Sequence, residues 1–145
     1  MLGAMQDWPL LTSSILDYAA RYHGTREIVT RTVEGPIART DYATLSRRAR
    51  QLAAALRRFG IQAGDRVATL AWNTHRHMEA WYGISGIGAV CHTVNPRLFP
   101  DQIAYIADHA EDTLILVDPP FVPLLEGIAA QLPRVRGYVV LTDRA

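Results

Sequence analysis

Between residues 11 and 22 the apolar side chains Leu11, Ile15, Ala19 and Tyr22 return at helical spacing, which predicts a first helix with Thr12 as cap and Gly24 as stop. Residues 27–32 then alternate, Gly35 and Pro36 supply a turn, and residues 37–40 run back, the pattern of a hairpin. A second helix follows. Asp41 is its N-cap, Leu45, Ala49, Leu52, Leu56 and Phe59 form one apolar stripe, and Gly60 ends it. The carboxylate of a capping box is missing, because Thr44 stands three residues after the cap.

Beyond this point the pattern becomes regular. β-rich runs begin at Arg66 (RVATLAW), Ala89 (AVCHTV), Thr113 (TLILVD) and Tyr138 (YVVLTD), at steps of 23, 24 and 25 residues, with helix-like segments between them. Strand, helix, strand at that spacing predicts right-handed crossovers and a parallel sheet covered on both faces. Runs this apolar suit strands buried on both sides, with residues 113–117 central. No segment repeats another, so the periodicity is architectural. The text stops at Ala145 directly after a strand, the expectation for a segment cut from a longer chain.

Composition narrows the classes. The 145 residues suffice for one domain that buries about two thirds of its unfolded surface. Hydrophobic residues make up 49% and charged residues 20%, a globular composition. A net charge of +1 offers no field to draw nucleic acid or an anionic membrane. Neither a signal peptide nor a run of about 20 apolar residues is present, so no membrane span is expected. The single cysteine, Cys91, excludes an internal disulfide and fits a cytoplasmic setting. All fifteen basic residues are arginine. Without lysine there is no Walker A loop, no Schiff base and no lysine in any chemical step of this chain.

Several residue clusters invite chemistry and read better as structure. Gly83, Gly86 and Gly88 in GISGIG reverse the order of the dinucleotide fingerprint and follow a helix-like run, so helix packing and a glycine stop account for them. Among His75, His77 and Glu79, only His75 and Glu79 share a helical face, too few ligands for a metal. Cys91 and His92 are neighbours in a strand and project to opposite faces, so a buried thiol is expected rather than a nucleophile with its base. Arg47, Arg48, Arg50, Arg57 and Arg58 crowd the second helix without interleaved aromatics, which reads as a solvated outer face with interdomain ion pairs.

Two loops follow strands, where open α/β sheets gather ligands. WNTH brings Asn73, Thr74 and His75 to that edge, and NPRLFP brings Asn95, Pro96 and Arg97, with Pro100 opening the next helix. For Arg97 a ligand contact and ordinary turn chemistry stand equal; for the other residues turn and cap chemistry is favoured.

Residues 64–118, with GDRVA, an N-x-x-[RE] turn, GAV-x-x-x-x-NPR and a final strand before an aspartate in that order, resemble the N-terminal region of adenylate-forming acyl-CoA synthetases. The similarity is greatest to long- and medium-chain fatty-acid-CoA ligases and methylthiopropionyl-CoA ligases, and it extends over nearly the whole chain. It implies a three-layer α/β parallel-sheet subdomain with an N-terminal helix and β-hairpin. Residues 1–145 would be part of the family's N-terminal domain, with the rest of it and the C-terminal domain absent. The implied cofactors of the full-length enzyme are ATP, Mg2+ and coenzyme A; the substrate is a fatty acid or other small carboxylate, and homodimers occur among similar ligases. Asn95, Pro96 and Arg97 would lie towards coenzyme A, and Asn73, Thr74 and His75 form a substrate-side loop. The family's phosphate loop ending in P-K-G, aromatic T-E motif, ribose-binding aspartate and late lysine are not in this sequence, so no catalytic residue is assigned and no cofactor is expected to bind tightly. The rival expectation is a free-standing α/β module that binds a nucleotide or a protein without chemistry.

Overall fold

The computed structural model describes residues 3–4 and 6–143. Helix α1 (Thr12–His23) leads into an antiparallel hairpin, β1 (Glu27–Arg31) with β2 (Ile37–Asp41), and then into α2 (Tyr42–Phe59). Strands β3 (Arg66–Leu70), β4 (Val90–Thr93), β5 (Leu114–Val117) and β6 (Tyr138–Val140) are separated by α3 (His75–Ser85), by α4 (Pro100–His109) and by α5 (Val122–Ile128) with a 3-10 turn on each side. The four strands are all parallel, in the order β4-β3-β5-β6. The chain therefore starts in the middle and winds outward both ways, and its switch point lies between β3 and β5.

Alternation along the central strands splits the core in two. Val67, Leu114 and Leu116 face α2 and α3, while Ala68, Leu70, Ile115 and Val117 face α4 and α5. The result is the expected three layers. Leu114–Val117 are all at most 2% exposed, as the continuous apolar run predicts. The outer strands differ from expectation: Val90 in β4 and all of β6 are exposed, because an edge strand has one lateral neighbour and incomplete helix cover.

Asp41 caps α2 as predicted, its Oδ1 accepting from the Thr44 N–H at 2.7 Å, and Gly60 closes the helix with φ +95°, open to glycine without strain. Leu45 and Leu56 are buried and Leu52 partly so. Phe59 is not in the core; it is 45% exposed and lies under the Arg136 guanidinium, 5.7 Å from its ring centre. Helix α1 corrects the sequence reading further. Its buried residue is Leu16, whereas Leu11, Ile15 and Tyr22 are exposed, and Thr12 is its first residue rather than its cap. Period alone found a helix but chose the wrong face, since it is Leu16 that packs with Leu45 and Ala49 of α2.

Gly83 lets α2 and α3 cross closely. A Cβ there would meet the Ala49 carbonyl oxygen at 2.9 Å and Leu52 Cδ2 at 3.3 Å. Gly83→Ala would raise helix propensity by about 1 kcal/mol, yet backbone cannot yield as a side chain does. The variant is expected to lose about 1–3 kcal/mol net, read as a lower urea midpoint at unchanged slope; a higher midpoint would refute the close-crossing account.

Candidate functional site

The carboxyl ends of β3, β4 and β5 carry the loops that sequence position singled out. Trp72, just past β3, is the hinge between them. The residue is 39% exposed, and its ring has the Arg97 guanidinium 5.5 Å from its centre and the Phe121 ring at 5.4 Å, tilted by 52°. Arg97 from the loop after β4 is thus joined to Trp72 after β3 and Phe121 after β5, across the switch point of the sheet. Asn95 shapes its own turn, with Oδ1 accepting from the Arg97 N–H at 3.0 Å; Pro96 is half-buried within it. Pro100 opens α4, where the Phe99 N–H donates to Gln102 Oε1 at 3.1 Å.

Asn73 and Thr74 border a cavity of about 500 Å3 together with His77, Met78, Trp81, Tyr82 and Thr93. Asn73 is exposed; Thr74 is buried and caps α3, accepting from the His77 N–H at 3.3 Å. His75 does not join them. It is buried among Arg76, Glu79 and Arg48, its Nδ1 has no partner among the described residues, and burial holds it below the ordinary histidine range. Of the three residues of this loop, the structure brings two to the cavity.

His77 holds the loop from beneath, with Nδ1 3.2 Å from the Trp72 carbonyl and Nε2 2.9 Å from Thr69 Oγ1. Burial keeps its pKa low, so the neutral ring donates from Nδ1 to the carbonyl and accepts from the threonine hydroxyl. Asp118, fully buried after β5, accepts from the Trp72 N–H at 2.8 Å; burial raises its pKa against that hydrogen bond. Trp72, His77, Phe121 and Asp118 were not assigned roles from sequence. The rule that selected Asn73 and Arg97, a position just beyond a strand, applies equally to Trp72, Asp118 and Phe121.

The remaining clusters are structural. Cys91 lies on the α3 side, its thiol pushed up to about 11 by burial and protonated at neutral pH, while His92 turns to the other face and meets Asp112 Oδ2 at 2.7 Å. Two of the crowded α2 arginines are paired, Arg48 with Glu79 at 2.6 Å and Arg50 with Asp17 at 2.8 Å. Among the described residues no three His, Cys, Asp or Glu side chains are grouped to hold a metal, and no helix is long and apolar enough to cross a membrane.

A sequence profile of the AMP-binding enzyme family matches residues 16–145. Over 144 residues, 99% of this chain, it is 47% identical to a 3-methylmercaptopropionyl-CoA ligase of Ruegeria lacuscaerulensis, and over 97% of the chain it is 45% identical to a medium-chain-fatty-acid-CoA ligase of Ectopseudomonas oleovorans. It spans 27% and 26% of those two proteins. Among solved structures, an anthranilate CoA ligase in complex with anthranoyl-AMP superposes over 94% of this chain and 26% of its own, with TM-score 0.83 and 25% identity.

Proposed function

The chain belongs to the AMP-binding enzyme family, and from that premise we propose that it is the opening part of a cytoplasmic AMP-forming acyl-CoA ligase acting on a fatty acid or another small carboxylate. The carboxylate oxygen attacks the α-phosphorus of ATP and releases pyrophosphate; the coenzyme A thiol then attacks the acyl carbonyl and releases AMP. The observation that carries this reading is identity of 45% and above, over nearly the whole chain, to two proteins named as acyl-CoA ligases. Since the chain spans about a quarter of their length, residues 1–145 are assigned a share of the reaction and not the whole of it.

That share is positioning. The chain has no lysine and no glycine-rich loop after a strand to cradle a triphosphate, and among the described residues no three His, Cys, Asp or Glu side chains are grouped for a metal. These ligands are assigned to the remainder of the ligase. The rim of Trp72, Arg97 and Phe121 offers a cation and two aromatic rings at the sheet's switch point, chemistry suited to the adenine and phosphates of coenzyme A. Asn95 and Pro96 shape the turn that presents Arg97. Asn73 and Thr74 border the neighbouring cavity on the substrate side.

In a ligase of the full family length, Arg97→Ala is expected to raise the KM for coenzyme A about tenfold, the loss of one charge-assisted contact. The KM for ATP should move less than twofold by the same reasoning. Steady-state kinetics with each substrate varied in turn decides it, and an equal or larger effect on ATP rejects the coenzyme A assignment.

A further inference from the structure

Trp72 is unusual in that both polar groups of its backbone are held by side chains from elsewhere in the fold. Its N–H donates to Asp118 Oδ2 at 2.8 Å, and its carbonyl accepts from His77 Nδ1 at 3.2 Å as well as from the Thr74 N–H at 2.8 Å. Asp118 and Thr69, which orients His77 through the bond to Nε2, are both 0% exposed. Asp118 Oδ1 has no partner among the described residues. A buried carboxylate with one oxygen left unpaired is costly, and a core position after β5 would tolerate an apolar side chain. The side-chain hydrogen bond that Asp118 makes among the described residues goes to the loop that carries an exposed tryptophan ring.

Fixing that backbone fixes the ring. With both ends of the Trp72 residue held, the side chain has only its own two torsions left, and contact with Arg97 and Phe121 settles those. We propose that Asp118 and His77 are positioning residues that clamp Trp72 from both sides and so preorganise the Trp72–Arg97–Phe121 rim for coenzyme A. The proposal rests on the ligase reading above, and its clamp half stands on geometry alone. A preorganised rim binds without ordering a loop at the moment of contact, which lowers the KM of the ligand that touches it and of no other.

The test compares Asp118→Asn with Asp118→Leu in a ligase of full family length. Asparagine still accepts from the Trp72 N–H, so its KM for coenzyme A should stay within about twofold of the parent, whereas leucine cannot accept and should raise it about tenfold. The KM values for ATP and carboxylate should not move in either variant. Amide hydrogen exchange at Trp72, measured in the same proteins, should quicken about tenfold in the leucine variant and not in the asparagine variant. Unchanged exchange in Asp118→Leu overturns the clamp, whatever the kinetics. Faster exchange with an unmoved KM for coenzyme A leaves the clamp standing and overturns its link to that ligand. A parallel rise in all three KM values overturns the positioning role in favour of general loosening. Should Asp118→Leu fail to fold, His77→Leu removes the other end of the clamp. It leaves the Trp72 N–H on Asp118, so exchange is read at the Thr74 N–H, which donates to the same Trp72 carbonyl. Faster exchange there with about a tenfold higher KM for coenzyme A is expected, while unchanged exchange overturns the clamp and an unmoved KM overturns its link to that ligand.

Discussion

Arg76→Ala is expected to destabilise the chain by about 3–5 kcal/mol, the cost of removing one partner from a buried ion pair. The guanidinium is 8% exposed and joins three separate parts of the fold. Its Nη1 donates to both oxygens of Glu34 in the hairpin turn, at 3.1 and 3.0 Å, and its Nη2 donates to Asp143 beyond β6 at 2.6 Å. Glu34, 11% exposed, also accepts from Thr142 Oγ1 at 3.2 Å. Asp143 is 69% exposed and contributes little. Without Arg76 the Glu34 carboxylate stays in a site it entered only as a partner. Arg76→Lys recovers charge but not the fork that spans Glu34 and Asp143, so it should recover less than half of the loss.

Acid acts on the same cluster with a definite sign. Burial works against the charge on Glu34, but the Arg76 guanidinium, its hydrogen bonds and Thr142 together hold that carboxyl below its ordinary range. Asp143 is also lowered, first by the hydrogen bond from Arg76. A lowered folded-state value means that the unfolded chain binds the proton more readily, so this stabilisation is complete above about pH 4–5. It is lost as pH falls through the lowered values. The parent should therefore show an acid unfolding step that Arg76→Ala lacks, measured by circular dichroism against pH. Identical acid profiles, or a loss below about 1 kcal/mol in urea, would show that the cluster is solvated and not structural.

Residues 1–145 are expected to release no pyrophosphate from ATP with any of a panel of fatty acids. Activation places negative charge on a triphosphate in flight, and each preorganised donor aimed at such charge accounts for about 10²–10³ in rate. This chain has neither the lysines nor the glycine-rich cradle that would supply those donors, and three of its arginines, Arg48, Arg50 and Arg76, are paired with carboxylates. The same assay on a chain extended through the family's phosphate loop, ribose-binding aspartate and late lysine should give acid-dependent turnover. Turnover by residues 1–145 alone would move the catalytic centre into this segment and undo the division of labour proposed for it. Inactivity of both proteins would favour a binding module without chemistry.

Much of this molecule is legible in one dimension because the relevant forces are local or periodic. Spacing of 23 to 25 residues between apolar runs, Asp41 before an amphipathic stretch and Gly60 after it are statements about neighbouring residues, and they determine the parallel sheet, the cap and the stop. The reversed glycine pattern and the opposed directions of Cys91 and His92 are legible for the same reason. What a strand or helix faces is not local. The α1 stripe points outward because Leu16 found the partners in α2, and β6 is exposed despite its apolar text because it has a single strand beside it. The site divides along the same line. Position after a strand placed Asn73, Thr74, Asn95 and Arg97 in the loops at the carboxyl ends of β3 and β4, but His75 turned inward, one residue past the helix cap. Trp72 meets Arg97 and Phe121 from 25 and 49 residues away in sequence, and Arg76 meets Glu34 and Asp143 across 42 and 67. Such meetings depend on how the sheet orders its strands, a result of burying both faces at once, so only the tertiary structure decided them.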